Sequence, residues 1–203
     1  GLDYSKKNLS NIEKYSSIVD NNFITSHPSV LKHQNIPNKK FHFLFIPVDK
    51  NIECFNVYNM NPVKDLFYAM SHGVNRGVLK RGKSDNRINF LNNLINKLDG
   101  VNYDFYGFEN KEPIWGNEFY KSLINSKMGL NLSRGKPTKY YSSNRIASLV
   151  GNGLLTFVDR NTNLDDFFNE NEIIFYNNIG DLADKIKFYK KKEKQRIKIS
   201  RNG

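Results

Sequence analysis

The 203-residue chain carries a net charge of +11 and contains 38% hydrophobic and 13% aromatic residues. This apolar content suffices for one large domain, or for one domain and part of another, and argues against a globally disordered chain. The single cysteine, Cys54, excludes a disulfide framework and a cysteine-based metal site. Its expected role is that of a small apolar residue packed beside Phe55.

No stretch approaches the ~18 apolar residues of a membrane-spanning helix, and no signal peptide is visible. We therefore expect a cytoplasmic protein, with peripheral association with the inner face of the membrane as a further option. The chain starts at Gly1 rather than at Met, and we expect it to be a fragment of a longer protein.

The positive charge by itself would suit a nucleic-acid-binding protein. However, lysine greatly outnumbers arginine and asparagine is abundant, which is typical of an AT-rich genome. The densest basic run, residues 185–201, also carries Ile186, Tyr189 and Ile197 near helical spacing, which indicates a solvated helix face. We expect no specific nucleic-acid binding and favour attraction to anionic ligands or membrane surfaces.

The first fifty residues predict only a few short elements. Residues 1–20 are expected to be mainly helical, 22–25 to form a strand, and 28–34 a turn or helix. The largely apolar run at 41–47 is typical of a strand buried on both faces. An irregular polar stretch at 51–62 follows and is the best candidate for a domain boundary.

Strands and helices alternate regularly from residue 64 onward. The expected strands are 65–70, 103–106, 128–132, 153–158 and 172–176. The expected helices are one that begins after Asp85, then 117–126, 143–151 and 179–191, with a helical turn at 164–168. This alternation predicts an α/β fold, a Rossmann-like parallel sheet with helices on both faces.

A loop rich in glycine, arginine and lysine, residues 71–85, lies between an expected strand and an expected helix. Glycines allow close backbone approach to a phosphate, and the cations supply positive charge. Residues 77–84, GVLKRGKS, satisfy the P-loop spacing G-x-x-x-x-G-K-S, and Asp159 could supply the acid that holds magnesium. However, Asn75 and Arg76 stand where an apolar strand should lead into the first glycine. A P-loop nucleotide-binding protein is therefore kept only as an alternative.

A second polar loop, residues 134–145, leads from a predicted central strand into a predicted helix. Backbone N–H groups at a helix N-terminus favour anions, and this loop adds four cations and two hydroxyls. The loop therefore predicts an anion site, with ordinary capping by Ser142 or Ser143 as the alternative. Asp165, Asp166, Glu170 and Glu172 are interpreted as a solvated turn, and no metal site is expected.

At these residues the chain resembles the nucleotide-sugar-binding half of a group 1 glycosyltransferase of the GT-B fold, nearest to the spore-maturation-type subgroup. The resemblance runs in order through residues 40–203. It is carried by HFLFIPVDKNIECF, with Pro47, Asp49 and Phe55; by the strand ending near Gly73; and by YDFYGFENKEPIWGNEFYKSLINSKMGLNLS, SSNRIASLVGNGLLTFVD and FFNENEIIFYNNIGDLADKI.

The resemblance implies a GT-B C-terminal, donor-binding domain over residues 51–203, preceded over 1–50 by the remnant of an N-terminal, acceptor-side domain and the interdomain segment. It implies transfer of a sugar from a nucleotide-diphospho sugar to a glycan or lipid-linked acceptor, as in polysaccharide or glycolipid synthesis. No metal and no other cofactor is expected.

The resemblance also assigns candidate nucleotide-sugar-binding residues. Arg145 matches the arginine of the family motif, and Ser148 stands where that motif has a glutamate that holds sugar or ribose hydroxyls. No catalytic base is identified. The full set is Gly73, Arg76, Lys80, Gly107, Lys139, Ser142, Ser143, Asn144, Arg145 and Ser148.

Three alternatives to an active transferase stay open. Ser148 in place of glutamate favours a non-catalytic module of the same fold that binds a glycan or a protein. The other two are the P-loop nucleotide-binding protein and a basic nucleic-acid-binding domain.

Overall fold

The computed structural model describes residues 6–16, 18–34, 41–71 and 86–203. Strand β1 (Asn22–Ile24) pairs in parallel with β2 (Phe41–Phe43) in a small sheet. The larger sheet contains β3 (Lys64–Ala69), β4 (Tyr103–Tyr106), β5 (Ser126–Asn131), β6 (Leu155–Asp159) and β7 (Ile174–Tyr176), in the order β4-β3-β5-β6-β7, and every pair is parallel.

Six α-helices accompany these strands in the described ranges. They are α1 (Lys6–Ser16), α2 (Asn86–Ile95), α3 (Gly116–Ile124), α4 (Arg145–Gly151), α5 (Ile179–Lys191) and α6 (Glu193–Asn202). Short 3-10 helices lie at Pro28–Gln34, Val57–Asn59, Arg160–Thr162 and Leu164–Asp166. None of the described helices has the length and apolar character needed to cross a membrane.

The strands of the larger sheet bury alternate side chains on its two faces, as the period of a β-strand requires. On one face, Leu66 and Tyr68 pack with α2, α5 and α6. On the other face, Phe67 and Ala69 pack with α3 and α4. Helix α4 approaches β5 closely because Gly129 has no side chain, and a Cβ there would lie 2.4 Å from Leu149.

The predicted α/β fold is therefore confirmed, with all five strands of the larger sheet and helices α2 to α5 in their expected places. The expectation for residues 41–47 is wrong, because β2 has three residues and only Phe41 is fully buried. Cys54 is exposed rather than packed. The basic run at 185–201 contains two helices, because α5 ends at Lys191 and α6 begins at Glu193. The proposed boundary between 50 and 51 stays a prediction.

Aromatic side chains connect the small sheet to the loop before α4. Phe43 stacks on Phe167, and both rings contact Tyr140, with centroids 4.7–5.2 Å apart. The backbone N–H of His27 also donates to the carbonyl of Lys139 at 3.0 Å. The N-terminal segment thus fixes the position of residues 139 and 140.

The chain order of the larger sheet reverses at β3, whose neighbours are β4 on one side and β5 on the other. In open α/β sheets, ligands bind outside the carboxyl ends of the strands at such a reversal. The carboxyl ends of β3 and β5 are therefore where this topology favours a ligand site.

Candidate functional site

The side chain of Arg145 spans the reversal point. Its Nε donates to the carbonyl of Ala69, the last residue of β3, at 3.1 Å. Its Nη1 donates to the carbonyl of Leu132, one residue beyond β5, at 2.9 Å, and to the hydroxyl of Ser143 at 3.2 Å. The guanidinium carbon lies 4.8 Å from the centroid of the Tyr68 ring.

The positive charge of Arg145 is not matched by a carboxylate among the described residues. No acidic side chain in the described part of the chain forms an ion pair with Arg145. Burial lowers the pKa of its guanidinium, and the neighbouring cation Arg87 lowers that pKa further. The guanidinium stays charged, since arginine does not lose its proton in proteins. An anion held here would relieve both effects.

Arg87 is the functional candidate that our sequence analysis missed. It lies in the first turn of α2 and is only 7% exposed. The signal was present in the sequence, because Arg87, Leu91, Leu94 and Leu98 follow the helical spacing of one buried stripe. Its charge acts on Arg145, so an anion bound beside Arg145 would interact with both guanidiniums.

Ser142 and Asn131 tie the end of β5 to the loop before α4. Both are buried, and the Asn131 amide donates to the Ser142 hydroxyl at 3.1 Å. The Ser142 hydroxyl in turn donates to the carbonyl of Ser143 at 3.0 Å. Ser142 therefore supports the loop, while Ser143 contacts Arg145 directly. Neither hydroxyl caps α4, whose N-cap residue, Asn144, is exposed.

Ser148, one turn after Arg145, lies near Tyr120 of α3. Burial raises the pKa of that tyrosine, as does the carboxylate of Glu53 in the segment that precedes β3. A Cβ on Gly151 would lie 2.8 Å from the Glu53 side chain, which shows how closely α4 approaches this segment. The serine that stands in place of the motif's glutamate thus lies near Tyr120 of α3.

Lys139 lies apart from the residues just described. Its ammonium stands 4.9 Å above the Tyr140 ring, and Tyr140 donates to Asp166 at 2.6 Å. Tyr140 has a φ of 63°, so the backbone here turns sharply toward the aromatic contacts with the small sheet. The expected convergence of Ser143 and Arg145 is observed, but Lys139 contacts this aromatic cluster instead.

Gly107 closes the carboxyl end of β4 and has a structural reason to be glycine. Its φ is 71°, and a Cβ there would lie 1.9 Å from the carbonyl oxygen of Met70. Gly73, Arg76 and Lys80, together with the whole P-loop-like run at 77–84, lie outside the described residues. Asp159 caps the next turn through Asn161, so its carboxylate is engaged locally.

The acidic turn predicted near the end of β6 is held by ion pairs and hydrogen bonds. Arg160 pairs with Asp165 at 3.1 Å and with Glu170 at 2.6 Å. Within the described ranges, no group of three or more histidine, cysteine, aspartate or glutamate side chains is arranged to hold a metal ion.

Residues 85–203 match the model of a family described as glycosyl transferase-like. The chain belongs to this family. No curated protein sequence matches the chain.

Solved structures with the same fold extend this result over nearly the whole chain. HepE (Alr3699) from Anabaena, solved in complex with UDP and glucose, superposes with a TM-score of 0.60 at 10% identity over 98% of this chain and 61% of HepE. TarM superposes with a TM-score of 0.63 at 11% identity over 98% of this chain and 43% of TarM.

At these identities the likeness shows the fold alone, and it confirms the predicted GT-B type of α/β fold. This glycosyl transferase-like chain spans less than two thirds of either structure. Arg145, Ser143 and Ser148 lie inside the matched family region, as does Arg87.

Proposed function

We propose that this glycosyl transferase-like chain is the donor-binding half of an enzyme that transfers a sugar from a nucleotide-diphospho sugar. The supporting observation is the Arg145 guanidinium, which spans the carboxyl ends of β3 and β5 without a carboxylate partner in the described part of the chain. Structural similarity to HepE, which was crystallised with UDP, makes UDP the first ligand to test.

Sugar transfer requires positive charge near the leaving group. As the bond between the sugar's anomeric carbon and the diphosphate oxygen breaks, negative charge grows on the diphosphate. Arg145 and Arg87 would stabilise that charge, and the Ser143 hydroxyl would hold the Arg145 head in place. Transfer on this scheme needs no metal, because the two guanidiniums supply the charge.

The acceptor and the finer family assignment belong to the same proposal. We place the chain nearest to the spore-maturation-type subgroup, on the passage SSNRIASLVGNGLLTFVD, and propose a glycan or lipid-linked acceptor in polysaccharide or glycolipid synthesis. The reaction would take place in the cytoplasm.

Isothermal titration with UDP and with GDP, in the presence of EDTA, tests donor binding. We expect one of the two to bind, and Arg145→Lys to weaken binding by at least tenfold, because a single ammonium cannot keep both backbone contacts and still reach a phosphate. Arg201→Lys makes the same chemical change on exposed α6 and serves as the control. Absence of binding by any nucleotide diphosphate would contradict the proposal.

A second candidate function is a non-catalytic module of this fold that binds a glycan or a protein. It is favoured by Ser148, which lacks a carboxylate and lies near Tyr120. Replacing Ser148 with Glu and assaying donor hydrolysis separates the two. Hydrolysis by the unmodified chain supports the transferase, and hydrolysis that appears only in the variant supports the module.

A further inference from the structure

Helix α6 lies across the amino ends of the strands, at the edge of the sheet opposite Arg145. Helix α5 runs back from the carboxyl end of β7, and near its end Lys190 pairs with Asp65 of β3 at 2.7 Å. At the other end of α6, Asn202 donates to the carbonyl of Asn171, just before β7, at 3.0 Å. The end of α5 and α6 together therefore run along the amino ends of the strands from β3 to β7.

The two faces of α6 differ sharply. Arg196, Ile199 and Ser200 are buried against the sheet. Lys194, Lys198 and Arg201 are exposed, and their spacing of four and three residues places them in one line along the outer face. None of these three forms an ion pair with a described carboxylate.

Further cations surround this helix. The last turn of α5 adds Lys190 and Lys191, Lys192 joins the two helices, and Lys64 and Lys127 stand at the amino ends of β3 and β5. Among the nearby carboxylates, Asp65 pairs with Lys127 and Lys190. The line of cations on the outer face of α6 thus has further lysines around it.

Exposed apolar side chains stand among these cations. Met60 is 40% exposed, Val63, directly before β3, is 64% exposed, and Phe188, in the last turns of α5, is 45% exposed. A cleft of about 140 Å³ opens between Met60 and α6, with the buried side chain of Arg196 in its wall. The nearest carboxylate to Arg196, that of Glu193, is 3.5 Å away.

We propose that this amino-end edge, defined by α6 and the last turn of α5, docks the protein on a bilayer that contains anionic phospholipid. Lysines attract the negative surface of such a bilayer, and small apolar side chains can enter its interfacial region. The cleft beside Arg196 gives a phosphate headgroup a place to sit. A nucleic acid fits the surface less well, because two of its three exposed apolar side chains, Met60 and Val63, offer no ring for base stacking.

Sedimentation with lipid vesicles tests this proposal on the complete 203-residue chain. We expect binding to vesicles of phosphatidylcholine and phosphatidylglycerol in equal parts, and none to phosphatidylcholine alone. The variant Lys194→Gln/Lys198→Gln/Arg201→Gln should bind about 100-fold more weakly, at about fivefold per cation. UDP binding should be unchanged, because the Arg145 site is at the opposite edge.

The control variant Lys14→Gln/Lys111→Gln/Lys136→Gln removes the same charge from exposed positions in α1 and beyond the carboxyl ends of β4 and β5. It should bind vesicles within about threefold of the unmodified chain. Phe188→Ser should weaken vesicle binding several-fold at high salt, where the charges are screened. Equal losses in the two triple variants, no vesicle binding at all, or displacement from vesicles by equimolar RNA would each overturn the proposal.

Discussion

Replacing Arg145 with alanine should weaken both the fold and the site. The change removes three hydrogen bonds from a charged donor, each of which contributes about 1.5–3 kcal/mol in folded proteins. Leu132 keeps a second donor, the hydroxyl of Tyr68 at 3.0 Å, whereas the described contacts give the carbonyl of Ala69 no other side-chain donor. Relief of the buried charge offsets part of the loss. We expect a net destabilisation of about 2–3 kcal/mol, or a fall in melting temperature of roughly 5–10 °C.

The ligand separates the structural part of this effect from the binding part. At a UDP concentration of about 100 times the dissociation constant, binding adds about 2.7 kcal/mol to the stability of the unmodified chain. If Arg145→Ala weakens UDP binding about 100-fold, the same concentration adds only about 0.4 kcal/mol to the variant. Urea unfolding with and without UDP measures both quantities. Equal stabilisation of the two proteins by UDP would show that Arg145 has only a structural role and would refute the reasoning.

Three further predictions concern the fold around the site. Gly107→Ala should destabilise the chain by at least about 3 kcal/mol, whereas Gly100→Ala, at a similar φ of 69° but with open space around it, should cost only about 1 kcal/mol in the same urea titration. Burial acts to raise the pKa of Asp65, but hydrogen bonds from two lysines and a backbone amide outweigh it and hold that pKa below its ordinary value of 3.8. The stabilisation that ionised Asp65 gives to the folded state is therefore present above about pH 4 and is lost as the pH falls through the lowered pKa. Asp65→Asn should be about 2 kcal/mol less stable than the unmodified chain at pH 7 and should show a shallower acid transition by circular dichroism. A double-mutant cycle of Ser148→Ala with Tyr120→Phe should give a coupling energy of about 1 kcal/mol, and a value near zero would show that the two hydroxyls do not bond.

Much of the fold follows from residue patterns that a single sequence contains. The helical spacing of Arg87, Leu91 and Leu94 fixes the buried face of α2. Alternating strands and helices of ordinary length lead to a parallel sheet, since right-handed crossovers place helices on both faces. The short length of β2 could not be predicted in this way. Within the apolar run at 41–47, Phe43 and Phe45 make aromatic contacts with residues 140, 167 and 168 instead of extending the strand.

Only the parts of the candidate site that follow from one local stretch of sequence could be predicted. Arg145 stands at a strand-to-helix connection, which is a local feature. Lys139 stands in the same loop, yet its position depends on a hydrogen bond from His27, more than a hundred residues earlier. Arg87 approaches Arg145 only through the packing of α2 on the sheet. The spacing of α2 shows that Arg87 is buried, but a contact between distant segments leaves no pattern in the chain, so its approach to Arg145 could not be predicted.

The structural role of Arg145 also explains why it suits a binding site. Three hydrogen bonds and the ring of Tyr68 fix the guanidinium before any ligand arrives, and its remaining nitrogen, Nη2, donates to no described residue. A flexible lysine would lose side-chain freedom on binding a phosphate, whereas this arginine has already lost it on folding. The bonds that hold the ends of β3 and β5 together thus also preorganise the positive charge at the point where the sheet order reverses.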